Sequence, residues 1–234
     1  MTESTTDHSA SKTKSVTETD GWTADKDLDL GILLELGSIG AGNAATSLSE
    51  IFQEPILIEV PKIHTLPPHL VPKFYQKHDT PITAVYMQLR GEADCDMLLL
   101  FEVEEAKKIA AMMTMSPSPE DIDTEMEASA IEELGNIVIG SFLTALSNFT
   151  GVNLLPHPPQ RATDSFDAIL DGFLIKQLLA SDIAIIFDTY FKRSNGNISG
   201  ILMMFPSRQL QDVLIDRAKK WVTDNGQEHE QKDA

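Results

Sequence analysis

The sequence contains a second copy of itself. Glu35-Leu36-Gly37-Ser38-Ile39 returns 98 residues later as Glu133-Leu134-Gly135-Asn136-Ile137. At the same offset Gly42 meets Gly140, Thr46 meets Thr144, Leu48 meets Leu146, Ser49 meets Ser147 and Pro61 meets Pro159. One ungapped offset matched at so many positions marks a duplicated structural unit. Both copies must then carry the same elements in the same order, which narrows the possible folds sharply.

The element patterns agree with duplication. In the first half an amphipathic helix is expected over 27–53, a strand over 56–63, and an irregular Pro-rich stretch over 66–80. Strands 82–89 and 95–102 follow as a hairpin about Gly91, then a helix over 103–113. The second half opens with Ser118 as N-cap, Pro119 at the first helical position and Asp121 near the third, leading a helix over 119–150. Pro156, Pro158 and Pro159 introduce an extended piece, and residues 164–179 read ambiguously as a short helix with a loop. Strands 183–191 and 198–205, turning at 194–196, precede a helix over 207–222. The expected fold class is α+β, with helices packed on an antiparallel sheet in two pseudo-symmetric halves. These halves are residues 27–118 and 119–222 of one domain, 27–222. Residues 1–26 hold Val16 and Trp22 as their only large apolar side chains and read as a disordered polar tail; 223–234 read as a second polar tail.

Composition excludes several function classes. Thirty-six acidic residues against 18 basic ones give a net charge of −18, which opposes binding to nucleic acid or anionic lipid. The acids are spread along the chain, as in the dense acidic coats of cytoplasmic proteins from salt-loving archaea. A single cysteine, Cys95, leaves no disulfide framework and no multi-Cys metal site. The N-terminus lacks an apolar signal region and no long uninterrupted apolar window occurs, so the cytoplasm is the expected compartment, with no membrane insertion.

The residues that could carry chemistry lie in the duplicated helices. On a helical wheel Ile131, Leu134, Gly135, Val138 and Phe142 share one face, which is expected to be buried. Glu133 and Asn136, three apart, sit side by side pointing the other way, and Ser129 and Gly140 extend that stripe. A bare Glu-x-x-Asn on a helix is ordinarily a solvated polar face. Here the unit occurs twice, and each copy has proline at the same distance: Ser38 to Pro61 and Asn136 to Pro159.

In these residues the chain resembles the CheC family of chemotaxis phosphatases, relatives of CheX and FliY. The family pattern runs Asp or Ser, three residues, Glu, two residues, Asn, 22 residues, Pro. The second copy fits throughout, as Ser129, Glu133, Asn136 and Pro159. The first copy keeps Glu35 and Pro61 but has Ser38 at the carboxamide position and Gly31 at the Asp/Ser position. A serine hydroxyl is shorter and lacks the fixed donor–acceptor pair of an amide, so this site reads as degenerate.

The resemblance, which spans about residues 27–222, implies hydrolysis of the aspartyl-phosphate of a CheY-type response regulator. The glutamate would anchor the helix, pairing with the regulator's active-site lysine, and the carboxamide would orient a water. No cofactor of its own is expected; Mg²⁺ would sit on the regulator. The competing reading is a non-catalytic regulator that binds the CheD receptor deamidase, and a third is an adaptor to the motility motor.

Other candidates carry less. Gly37, Gly40 and Gly42 are not in dinucleotide-binding order and lie within a helical pattern, so close helix packing is expected of the small residues there. His64, His69, His78 and His157 are scattered and imply no metal site. Cys95 is expected inward on a strand, and Met112, Met113 and Met115 are expected in the core.

Overall fold

The computed structural model describes residues 30–75, 77–193 and 196–230. Residues 1–29 and 231–234 lie outside the described residues, as does most of the expected turn at 194–196. The first half comprises α1 (Leu30–Phe52), β1 (Leu57–Leu66), α2 (Val71–Tyr75), β2 (Pro81–Gly91), β3 (Cys95–Glu102) and α3 (Val103–Met113). The second comprises α4 (Thr124–Thr150), β4 (Leu154–Pro156), β5 (Gln160–Ser165), α5 (Phe166–Ala180), β6 (Ala184–Arg193), β7 (Gly196–Pro206) and α6 (Arg208–Glu230).

All seven strands form one antiparallel sheet in the order β1-β6-β7-β3-β2, with both β4 and β5 pairing on β2. Exchanging β1 with β5, β2 with β6 and β3 with β7 returns the same order reversed. Side-chain register obeys the same exchange. Ile63 pairs with Phe187, and Arg161, 98 residues beyond Ile63, pairs with Val85. Leu99 pairs with Leu202 where β3 meets β7, at the pseudo-two-fold axis. The first strand of each half thus lies against the hairpin of the other.

Strand alternation divides the core into two layers. One layer holds Val85, Met87, Phe101 and Phe187 beneath α1, α3, α4 and α6. The other holds Ile82, Ala84, Leu98 and Phe205 against α2 and α5, with Phe166, Leu170 and Phe173 inserted from α5. Helices therefore cover both faces of the sheet. α4 is apolar and long enough, at 27 residues, to meet a length-and-composition test for a membrane span. Its apolar face is instead core, with Ile131, Leu134, Val138 and Phe142 buried.

Several expected boundaries shift for local reasons. The helix expected over 119–150 is interrupted. Ser118 caps only a 3₁₀ turn, Pro119–Asp121, its Oγ accepting from the Glu120 N–H, and Ile122 is extended. Asp123 is the true cap of α4, its Oδ1 accepting from the Met126 N–H at 2.8 Å, and Gly151 closes the helix in the left-handed conformation at φ 73°. Within the stretch expected to be irregular, Pro68–Leu70 forms a 3₁₀ turn and α2 follows. Residues 164–179 resolve into a strand end and α5, which Ser165 caps. α6 continues to Glu230, past the expected end at 222. Cys95 is buried as expected, whereas Met115 is 69% exposed. Met115 follows the α3 C-terminus at φ 54°, a turn conformation that carries it off the helix face.

The net charge of −18 is carried by a chain of 234 residues, so self-repulsion opposes compaction at low ionic strength. The thermal midpoint is expected to rise by several degrees between dilute buffer and molar KCl, as screening shortens the range of that repulsion. A midpoint indifferent to salt, followed by circular dichroism, would contradict this.

Candidate functional site

Glycine brings the two duplicated helices down onto the sheet. A Cβ on Gly135 would lie 2.4 Å from Val85 Cγ1, and one on Gly37 would lie 3.0 Å from the Phe187 ring. Val85 and Phe187 occupy equivalent places in the two hairpins. α1 and α4 also pack on each other. Gly40 lets α1 approach the Phe142 ring, where an added Cβ would be 2.8 Å away, whereas Gly42 faces open space. Of the small residues expected to pack closely, Gly40 does so and Ala41, Ala44 and Ala45 are buried, whereas Gly42 does not.

With Gly135 fixed downward, the helix turn carries its neighbours outward. Glu133 and Asn136 are both exposed on α4, and Asn136 Nδ2 donates to Glu133 Oε2 at 3.4 Å. Ser129 is exposed one turn earlier, and Gly140 is half-buried one turn later. The structure thus brings the carboxylate and carboxamide together on an outward surface. In α1, Glu35 and Ser38 take the equivalent exposed positions.

The two prolines also correspond. Pro61 lies in β1 within a break in register between Glu59 and Lys62. Pro159 lies in the gap between β4 and β5, where the other edge of the sheet is interrupted. Proline has no N–H to give to a ladder, so it fits an edge at the point where pairing lapses.

A carboxylate and a carboxamide on the convex side of a helix cannot enclose a small molecule. They can enter a cavity in a partner, where the amide both donates and accepts a hydrogen bond. Among the described residues no group of three His, Cys, Asp or Glu side chains is placed to hold a metal ion.

Two carboxylate clusters that sequence reasoning did not anticipate lie on the α2 and α5 side of the sheet. Asp96 is buried and accepts from Tyr86 Oη at 3.0 Å, Arg90 Nη1 at 2.6 Å and Gln177 Nε2 at 2.5 Å. Burial, reinforced by the charge of Asp96, pushes the Tyr86 hydroxyl up to about 12. Asp188 binds His64 Nε2 at 3.1 Å and Tyr75 Oη at 3.0 Å. Burial opposes its ionisation, yet the hydrogen bonds from His64 and Tyr75 hold the Asp188 carboxyl below its ordinary value. Both clusters are internally satisfied and tie helices to strands. The only sequence signal for either was a polar residue at an inward strand position.

Comparison with known proteins gives the same picture. A family model described as CheC-like matches residues 126–161, the segment that holds Ser129, Glu133, Asn136 and Pro159. The CheY-P phosphatase CheC of Bacillus subtilis (strain 168) is 30% identical over 170 residues, covering 70% of this chain and 80% of the relative. A CheC1 chain of Halobacterium salinarum is 25% identical over 178 residues, covering 74% and 87%. Among solved structures, Thermotoga maritima FliY superposes with a TM-score of 0.66 at 18% identity, covering 85% of this chain and 98% of that one. FliM from a FliM–SpeE complex of H. pylori gives 0.61 at 10% identity, covering 85% and 97%. At those identities the structures establish the shared fold alone. Identity with the Bacillus phosphatase over most of both chains, together with the intact motif on α4, places this chain in the CheC family.

Proposed function

We propose that this chain is a phosphatase that hydrolyses the aspartyl-phosphate of a CheY-type response regulator, working in the cytoplasm through Glu133 and Asn136 on α4. One observation carries the reading: the only copy of the duplicated motif that keeps its carboxamide presents it outward beside a carboxylate, 3.4 Å apart. Relatedness to the Bacillus CheY-P phosphatase supports it.

The chemistry asks little of this chain. Glu133 docks the helix by pairing with a lysine of the regulator's phosphorylation pocket. Asn136 enters that pocket and aligns a water with the phosphorus. Water oxygen bonds to phosphorus as the bond to the acyl oxygen breaks, leaving a free aspartate carboxylate and inorganic phosphate. Phosphoryl transfer depends mainly on positioning and charge stabilisation, so one well-placed amide suffices. Mg²⁺ in this reading belongs to the regulator and balances phosphoryl charge there. Ser38 holds a shorter group at the equivalent place on α1 and leaves the first site inactive.

The test is inorganic phosphate release from a purified, phosphorylated CheY-type receiver, with and without this protein. No acceleration at saturating protein would defeat the proposal.

A CheD-type deamidase is the second partner that the family resemblance implies. On α5, across the sheet from α4, Ile175, Leu178 and Leu179 form an outward stripe exposed by 70%, 52% and 89%. The spacing puts all three on one side of the helix. We propose this stripe as the surface for a CheD-type deamidase. Leu179→Asp is expected to weaken binding to the purified deamidase about tenfold or more while leaving phosphate release intact. Unchanged affinity would remove the assignment.

A further inference from the structure

Arg161 lies on the α4 side of β5. Its cross-strand partner Val85 is the side chain that meets Gly135. Its Nη1 donates to Thr163 Oγ1 at 3.0 Å, which in turn contacts Thr83 Oγ1 at 3.0 Å on the same face of the sheet. α4 contacts β5 directly. Asn136 follows Gly135 by one residue, about 100° around the helix. Leu134 and Val138 fill the opposite flank and are buried. Asn136 thus stands on the flank of α4 away from Leu134 and Val138, one residue from the glycine that rests on Val85, the cross-strand neighbour of Arg161.

The electrostatic setting of Arg161 is unusual for this chain. Acidic residues outnumber basic ones by 36 to 18; Arg90, Arg193 and Arg208 each pair with a carboxylate, and Arg217 donates to the Thr150 carbonyl. Among the described residues Arg161 has no such partner: its sole hydrogen bond is to a hydroxyl, and its buried Nε is unsatisfied. A half-buried guanidinium without an anion is costly unless something arrives to meet it.

The pseudo-symmetry sharpens the comparison. The residue equivalent to Arg161 in the first half is Ile63, which pairs with Phe187 as Arg161 pairs with Val85. The half that keeps the carboxamide has the cation. The half that has serine in its place has isoleucine.

We propose that Arg161 is a third member of the α4 site, a recognition residue whose guanidinium binds an oxyanion of the phosphorylated regulator when Glu133 and Asn136 dock. The inference rests on the phosphatase reading above. The oxyanion comes either from the transferred phosphoryl group or from a carboxylate at the rim of the same pocket. Arg161 acts on association and not on the attacking water, so its loss should appear in KM.

The experiment is steady-state phosphate release by the full chain and by Arg161→Gln and Arg161→Lys, each with a thermal melt. Arg161→Gln is expected to raise KM about tenfold, the value of one charge-assisted hydrogen bond, with kcat within about twofold of wild type. Arg161→Lys should recover part of the loss, since it keeps the charge without the planar fork. Binding of Arg161→Gln to the regulator in both states separates the two sources. Weakened affinity for the phosphorylated form alone identifies the phosphoryl group; equal weakening for both forms identifies a carboxylate. An unchanged KM in Arg161→Gln overturns the proposal, as does a loss that tracks a lowered melting temperature and is not relieved by lysine. Absence of phosphate release by the wild type is a distinct result and overturns the phosphatase reading itself.

Discussion

Asn136→Ala is expected to lower kcat for phosphate release about 100-fold or more, with KM and the melting temperature little changed. The side chain is exposed, and its one side-chain hydrogen bond among the described residues is the 3.4 Å contact to Glu133, so its removal leaves neither a cavity nor a stranded buried group. What disappears is the amide to which the proposed mechanism gives the alignment of the attacking water. Glu133→Ala is expected to differ in kind, raising KM more than it lowers kcat, because the proposal gives it docking and not alignment of the water. Stopped assays of inorganic phosphate over a range of regulator concentrations separate the two. Wild-type kcat in Asn136→Ala would sink the mechanism, since Ser38 offers no substitute amide.

Gly135→Ala is expected to cost about 1 to 3 kcal/mol of stability and to impair catalysis as well. Alanine is ordinarily the better helix residue, and at an open position the exchange stabilises by about 0.5 to 1 kcal/mol. At Gly135 the new methyl would fall 2.4 Å from Val85 Cγ1, a fully buried side chain that cannot swing away. The helix has to lift or turn, and Glu133 and Asn136 move with it. Gly140→Ala, on the same helix with nothing within 4 Å of its added Cβ, serves as the control and should raise the melting temperature slightly. If the two variants melted alike in denaturant titrations, the close approach of α4 to β2 would not be what seats the site.

The duplicated motif made much of this legible in advance. An offset of 98 residues foretold two equivalent helices with exposed glutamates and inward glycines, and Glu35, Glu133, Gly37 and Gly135 all lie so. The hairpins were legible because alternation and the break at Gly91 are local signals. The helix start at Asp123 was missed because Ser118-Pro119 also makes a good cap, and only competition between the two decides. α5 was blurred because it is apolar on both its buried and its exposed sides, which erases the periodicity that identifies a helix. Helices on both faces of the sheet could not be read from any one segment, since that depends on how strands from different halves alternate. Arg161 carried no motif. Its place emerges only when β5 is laid beside β2, a pairing between strands of different repeats.

The crossed pairing of first strands explains why a copy that has lost its carboxamide persists. β1, from the degenerate half, has β6 as its neighbour, and β5 has β2. Deleting either half would strip an edge from the other's hairpin and open the apolar layer beneath it, so the copies are structurally obligate to each other even though only one keeps the Glu-x-x-Asn pair. Chain economy cannot remove the first repeat as redundant. The same linkage delays assembly: Ile63 must wait for Phe187 to emerge before its ladder can close, and contacts so far apart in sequence make for slow, late-completing folding. During synthesis the first half would remain an unfinished sheet until the last hairpin arrives.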